Sequence, residues 1–284
     1  MGGSKWEQRS LIFFFRYVDP MWLYPMMWVW VIGYIAFGRS QRRAIWHYHR
    51  LRLHQTRWQA CIGLIKNYNE FAKALLDRFA CWAGRQMKIT VDGQSLWDQY
   101  LMHEQPFVIL GSHVGNLELA GYTIRMPQQV YTLVYTGDVE TVEKNRQRLF
   151  NQMGLTIIPI QEDGSHIFDM HRAIEDGHVV SIHGDRLFFY TRAIRACLLG
   201  AHAQLPEGCF RFAVAEKVPV LSLYVMREGR GQYRVIVKQL SDGHYRATSR
   251  SEQVNELVTA YTQTMEEVIQ HYPNQWFNFY EFWS

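Results

Sequence analysis

The chain has 284 residues, of which 48% are hydrophobic and 15% aromatic, and its formal net charge is +4 at pH 7. This length and hydrophobic content exclude a disordered chain and suit one large α/β domain or two small ones. The net charge is too small to indicate a nucleic acid as partner, whereas the aromatic content favours a membrane interface or an apolar substrate tunnel.

The N-terminal segment is almost wholly apolar between residues 11 and 37. The 18 uncharged residues 20–37 reach the lower limit for a membrane-spanning helix, but Pro25 would break or kink its first turns. A spanning helix, a half-inserted helix and an ordinary core helix all remain open. We expect residues 1–38 to form an apolar segment that attaches the protein to a membrane.

A basic segment follows, because residues 39–58 carry six arginines and no acidic residue. An anionic membrane surface attracts such a segment, with a contribution of about 1 kcal/mol per basic residue. A solvated basic helix is the alternative. No small-residue cleavage site follows the apolar run, so we predict no secretory signal and a reducing, cytoplasmic setting.

Residues 39–284 alternate between short apolar strands and helices, which predicts one α/β domain with a single mixed sheet and helices on both faces. The predicted strands are residues 87–91, 107–110, 130–134, 156–160, 178–182, 194–199, 220–226 and 233–237. The clearest predicted helices are residues 140–153, 167–176, 208–216 and 251–270. The segment 199–208 is either a wall of the site or a simple turn. The aromatic tail after Pro273 is expected to pack on the domain or to dip into the membrane interface.

The sharpest local feature is FVILGSHVGNLELAGY, residues 107–122, in which His113 follows an apolar strand. Ligands and catalytic groups of open α/β sheets gather at the carboxyl ends of strands. If a helix begins with Asn116 as its N-cap, Glu118 lies in the first turn, and its carboxylate can fold back onto one imidazole nitrogen. That pairing would make His113 a general base, and the helix N-terminus would stabilise negative charge. The alternative is a capping or core histidine.

A second strand, in VVSIHGDR at residues 179–186, leads into Asp185 and Arg186. An ion pair within a structural turn is the alternative to a functional role for these two residues. His178 and His183 stand at odd spacing around this strand, so we expect their side chains to face opposite sides of the sheet.

Three basic residues, Lys144, Arg146 and Arg148, lie on a predicted helix between these two motifs. Lys144 and Arg148 share a helical face, and Arg146 points elsewhere. We expect one set to face inward and bind a head group or an acyl chain, and the other to steer an acidic carrier. A solvated basic face is the alternative.

These blocks resemble the bacterial late acyltransferases of lipid A biosynthesis, in the lysophospholipid acyltransferase superfamily. The similarity rests on strand-GSHxGNxE-helix, on an arginine 30 to 35 residues later, on strand-GDR, on LLGAHAQLPEGCFRFAVAEKVPVLSLYV, and on the PNQWFNFYEFW tail. The resemblance implies that His113 and Glu118 form a catalytic HxxxxE dyad. It also implies that Arg146 or Arg148 is the family's helix arginine and that Asp185 is its second acid.

The resemblance further implies an acyl thioester donor, usually on acyl carrier protein, and the cytoplasmic face of the cell inner membrane. Neither a metal nor another cofactor is expected. Where this chain has Gly184-Asp185-Arg186, lipid A enzymes typically carry Pro-Asp-Gln or a similar tripeptide, so the acceptor can differ from a lipid A precursor.

We therefore predict a membrane-associated acyltransferase that moves a fatty acyl chain from acyl carrier protein or coenzyme A to a hydroxyl or amine of a lipid-like acceptor. The predicted site consists of His113 and Glu118 as catalytic residues and Asn116, Arg146, Arg148, Asp185 and Arg186 as substrate-binding residues. The rival hypotheses are an inactive lipid-binding protein of the membrane surface and a hydrolase of acyl thioesters. A serine hydrolase is disfavoured, because no GxSxG elbow surrounds Ser112.

Overall fold

The computed structural model describes residues 17, 22–102, 104–123, 126–135, 154–187 and 192–283. Its N-terminal part is helical: α1 spans Met27–Phe37, α2 Arg39–His47 and α3 Arg57–Trp82, with a π-helical turn at Tyr48–Arg52 before α3. A capping box of Thr56 and Gln59 begins α3, since each side chain satisfies a backbone N–H of the other. Within the described ranges, no helix has both the length and the apolar character needed to cross a membrane.

Seven strands form a mixed sheet in the order β1-β9-β8-β2-β5-β3-β4, and β6 and β7 form a separate antiparallel pair. The predicted mixed sheet is confirmed, but the prediction that it is the single sheet is wrong, because β6 pairs with β7 outside it. Only β8 and β9 run antiparallel among the pairs of the seven-stranded sheet. The strands are β1 Lys88–Asp92, β2 Phe107–Gly111, β3 Val130–Val134, β4 Leu155–Pro159, β5 Val179–His183, β6 Ala193–Leu198, β7 Ala201–Pro206, β8 Val220–Gly229 and β9 Gln232–Ser241.

Helices cover both faces of this sheet, as predicted. They are α4 Gln94–Met102, α5 Ala120–Thr123, α6 His166–Glu175, α7 Glu207–Glu216 and α8 Arg250–His271. Met170, Phe210 and Tyr261, from α6, α7 and α8, belong to the core on one face. Trp97 and Leu119 belong to the core on the other. The predicted helix at residues 140–153 lies outside the described residues.

All eight predicted strands are present, and β7 is a further strand that was not predicted from the sequence. Residues 199–208 were expected to form a site wall or a turn. Most of them build a hairpin with β6, and residues 206–208 at their end line a cavity beside His113, as a site wall would. Leu199 and Gly200 occupy the turn with φ of 50° and 72°, as a two-residue hairpin turn requires. Leucine rarely has a positive φ, and turns of this kind usually carry Asn or Gly at that position. The turn was therefore not recognisable from the sequence.

The aromatic tail packs back on the domain, which was one of its two predicted positions. Trp276 is 1% exposed, and its carbonyl oxygen accepts a hydrogen bond from the Asn67 side chain at 3.0 Å. The Phe277 N–H donates to the His113 carbonyl oxygen at 3.0 Å. The tail therefore supports the loop that carries His113.

Candidate active site

His113 lies on the loop after β2, the central strand of the sheet, as the motif predicted. Bridges hold the loop on both sides, since Val114 pairs with Trp276 of the tail and Gly115 with Val225 of β8. Gly115 has a φ of +76°, and a Cβ there would lie 2.4 Å from the Val225 carbonyl oxygen. Only glycine fits this close approach, and the loop holds the imidazole at the edge of the sheet.

Asp185 holds His113 through two contacts. Its Oδ2 accepts the His113 backbone N–H at 2.8 Å, and its Oδ1 lies 2.8 Å from His113 Nδ1. Asp185 is 2% exposed. Burial alone would raise the pKa of Asp185, but the charge and hydrogen bonds of His113 lower it to about 2. An ionised Asp185 accepts Nδ1–H, which leaves the lone pair of His113 on Nε2.

Glu118 forms an ion pair with Arg78 of α3, in which Arg78 Nη1 donates to Glu118 Oε2. Asp185 contacts Nδ1 of His113, and the predicted contact of Glu118 with one imidazole nitrogen stays a prediction. Local spacing suggested Glu118, but the register of β2 with β5 pairs Gly111 with His183 and so brings Asp185 to the same loop. The catalytic role of Glu118 stays a prediction.

The helix expected to begin at Asn116 is a 3₁₀ turn, Leu117–Leu119, followed by the four-residue α5. Asn116 makes no side-chain cap, and its Nδ2 donates to the Ala74 carbonyl oxygen at 3.1 Å. The backbone N–H groups of residues 113–116 donate in turn to Asp185, Ser112 Oγ, Gln275 O and Val225 O. These four N–H groups are therefore engaged. The expectation that the amides at the start of the following helix stabilise negative charge concerns later residues and stays a prediction.

A cavity of about 1030 Å³ opens beside His113. Its polar lining includes His113, Glu118 and Arg78. Its apolar lining comes largely from the core on the α4 side of the sheet and includes Trp97, Ile109, Ala120, Val130, Leu155 and Leu223. Ligand sites commonly combine such an apolar wall with a few convergent polar groups, so this cavity has the character of a site for an apolar chain next to an imidazole.

Arg186 lines the same cavity and is partly buried. Its Nη2 donates to the Phe277 carbonyl oxygen at 3.4 Å, and its guanidinium lies 5.6 Å from the centre of the Tyr280 ring. The neighbouring Asp185 contacts His113. The alternative hypothesis, in which Asp185 and Arg186 form an ion pair within a structural turn, therefore does not account for the contacts of Asp185. Lys144, Arg146 and Arg148 lie outside the described residues.

Arg78 and His183 are among the cavity residues that were not predicted as site residues from the sequence. Arg78 precedes its partner Glu118 by 40 residues, and no local spacing connects them. His183 was expected only to face the opposite side from His178, whereas its ring centre lies 5.0 Å from that of His113.

Two of three comparisons with known proteins find a match to this chain. A family model described as bacterial lipid A biosynthesis acyltransferase matches residues 64–284. No curated protein sequence matches the chain. Among solved structures, it is similar to the 1-acyl-sn-glycerophosphate (LPA) acyltransferase PlsC from Thermotoga maritima, with 12% identity, a TM-score of 0.40, and coverage of 92% of this chain and 97% of that one.

Proposed function

Since the chain belongs to the bacterial lipid A biosynthesis acyltransferase family, it is an acyltransferase, and we propose that His113 is its general base. The donor in this proposal is an acyl thioester, preferably of acyl carrier protein. The acceptor is a hydroxyl or amine of a lipid-like molecule. The observation that carries the proposal is the double contact of buried Asp185 with His113 at the edge of the cavity.

In the proposed reaction, Nε2 of His113 takes the proton of the acceptor's O–H or N–H as the acceptor oxygen or nitrogen attacks the thioester carbonyl carbon. The tetrahedral intermediate then collapses, the C–S bond breaks, and the imidazolium returns the proton to the departing thiolate. Asp185 keeps Nδ1–H oriented and stabilises the imidazolium. No acyl-enzyme forms, because the nucleophile belongs to the acceptor.

The apolar part of the cavity is the proposed site of the fatty acyl chain. Trp97, Ile109 and Leu223 line it, and burial of apolar surface contributes about 25 cal/mol per Å². Binding of the chain there would place the thioester carbonyl at the His113 end of the cavity. This arrangement supports a long-chain donor over a short polar one.

We propose that Glu118 contacts the acceptor and that Arg78 positions the Glu118 carboxylate. Arg78→Met is expected to lower kcat/KM by about tenfold, because Glu118 loses the cation that orients it. Steady-state kinetics of Arg78→Met, Glu118→Gln and the double variant test this, and the double variant should match Glu118→Gln alone. Lys66→Met, an exposed change on the same helix, should leave kcat/KM unchanged. If the losses of kcat/KM in the two single variants add up in the double variant, Arg78 does not act through Glu118.

Attachment to the cytoplasmic face of the inner membrane is proposed from the N-terminal helices. Large apolar side chains stand exposed on these helices or just before them, including Trp22 at 79%, Phe37 at 91% and Trp58 at 75%. The arginines of residues 39–58 adjoin them in the sequence. Apolar side chains beside basic residues suit the interface of an anionic membrane.

Co-sedimentation with phosphatidylglycerol vesicles tests this attachment. The variant Ile32→Ser with Phe37→Ser changes two exposed side chains of α1 and is expected to lower vesicle binding at least tenfold, since each burial contributes about 1.5–3 kcal/mol when complete. Phe168→Ser changes an equally apolar, exposed side chain on α6 and should not alter binding. Equal binding by all three proteins would contradict attachment through α1.

The proposed activity is tested by comparing the lipids of cells that produce the wild-type protein with those of cells that produce His113→Ala. Mass spectrometry should find a lipid that carries one additional acyl chain with the wild-type protein, and its unacylated precursor with the variant. Identical lipids in the two strains would contradict the proposal.

A further inference from the structure

The proposed reaction needs a hydrogen-bond donor close to His113. When the acceptor attacks, the acyl carbonyl oxygen gains negative charge, and a donor placed where that charge develops lowers the barrier. The attacking atom contacts His113 Nε2 and bonds to the carbonyl carbon, so the oxygen lies within a few ångströms of the imidazole. The donor must therefore come from a neighbour of His113.

The backbone near His113 does not supply this donor within residues 113–116, since each of those four N–H groups already donates elsewhere. Several side-chain donors of the cavity are also engaged. Asn116 donates to Ala74 O, Arg186 to Phe277 O and Arg78 to Glu118.

His183 is the cavity side chain that stands beside His113. The two residues follow neighbouring strands, their ring centres are 5.0 Å apart, and their ring planes are inclined by 48°. His183 lines the cavity together with His113. His183 is only partly buried, so a substrate in the cavity can reach its imidazole.

The ionisation of His183 suits a donor rather than a second base. Burial, and after it the neighbouring His113, lower the pKa of His183 to about 4. At neutral pH the ring is therefore uncharged, carries one N–H, and does not compete with His113 for the acceptor's proton. Neutral imidazoles of lowered pKa polarise substrate carbonyls in other enzymes.

We propose that His183 is a further catalytic residue, whose N–H donates a hydrogen bond to the acyl carbonyl oxygen as it becomes negatively charged. The proton stays on His183 throughout. When the C–S bond breaks, the oxygen re-forms the neutral C=O double bond and the negative charge leaves with the thiolate, which takes the proton from His113. This role rests on the proposed acyl transfer, and it gives the reaction two histidines with different tasks.

Three variants test the role of His183. His183→Leu removes the donor and is expected to lower kcat by about 10²–10³-fold with little change in the donor's KM. His183→Gln keeps an N–H donor and should retain at least tenfold more activity than His183→Leu. His178→Leu, at the other end of β5 and stacked on Tyr131, is the matched control and should leave kcat unchanged.

The assay uses the full-length protein, acyl carrier protein loaded with a fatty acyl chain, and lipids extracted from cells that produce His113→Ala. Thermal unfolding measurements check that each variant is folded. His183→Ala replaces His183→Leu if the latter does not fold. If the kcat of His183→Leu, or of His183→Ala in its place, lies within threefold of the wild-type value, the role of His183 is overturned, whereas acyl transfer stands. No transfer by the wild-type protein, from acyl carrier protein or from coenzyme A, overturns the proposed function and this role with it.

Discussion

His113→Ala is expected to lower kcat by about 10²–10⁴-fold, the contribution of a positioned general base. Without the imidazole, no group at the end of β2 takes the acceptor's proton during attack. The KM of the donor should change little, because its acyl chain is proposed to lie against apolar residues such as Ile109 and Leu223. Steady-state kinetics with an acyl thioester and a lipid acceptor measure both constants.

His171→Ala is the matched control for this substitution. His171 also pairs with a carboxylate, since its Nδ1 lies 2.9 Å from Glu216 Oε2, but it lies exposed on α6. Its removal should leave kcat unchanged. Near-normal turnover by His113→Ala would contradict general-base catalysis by this residue.

Asp185→Asn is expected to lower kcat by a similar factor, about 10²–10⁴-fold. An amide can donate to Nδ1, which moves the proton to Nε2 and removes the lone pair that accepts the acceptor's proton. His113→Ala combined with Asp185→Asn should be barely worse than His113→Ala, because the two residues act as a unit. Glu216→Gln, the same change in the exposed pair with His171, should have no effect on kcat. A fully active Asp185→Asn would contradict the orienting role.

The lowered pKa of Asp185 also gives a prediction for stability. A carboxyl group whose pKa falls from about 3.9 in the unfolded chain to about 2 in the folded protein stabilises the fold at pH values above 4. This contribution is lost as the pH falls toward 2. Urea unfolding should therefore show a difference between wild type and Asp185→Asn that shrinks between pH 4 and pH 2. A constant difference would contradict ionised Asp185 as its source.

The sheet was predictable because its strands are short, apolar and β-branched, a pattern that indicates buried strands regardless of their neighbours. Residues 130–134 were predicted with the observed boundaries of β3. The missed strand β7 alternates buried Ala203 and Leu205 with exposed His202 and Gln204. This alternation was not recognised, because the strand has small residues and is preceded by a Leu-Gly turn, which is not a usual turn signal.

The site was predictable where its residues are close in sequence and not where the sheet brings distant residues together. His113 and Asp185 were each identified from a position just after a strand, and the role of Asp185 as an acid was implied by the family resemblance. Their contact joins residues 72 positions apart and depends on the pairing of β2 with β5. Glu118 was predicted to pair with His113 because it would lie in the first turn of a helix that begins at Asn116. In the structure this helix is a 3₁₀ turn, and Arg78 of α3 contacts the Glu118 carboxylate.

The most direct measurement follows the fate of a radiolabelled acyl chain supplied on acyl carrier protein to the purified protein together with lipids from cells that produce His113→Ala. Label should pass to a lipid with the wild-type protein, and His113→Ala and Asp185→Asn should transfer it at least a hundredfold more slowly. Release of the label only as free fatty acid would identify a thioester hydrolase. Retention of all label on the carrier would indicate an inactive lipid-binding protein, and either result would contradict acyl transfer by His113.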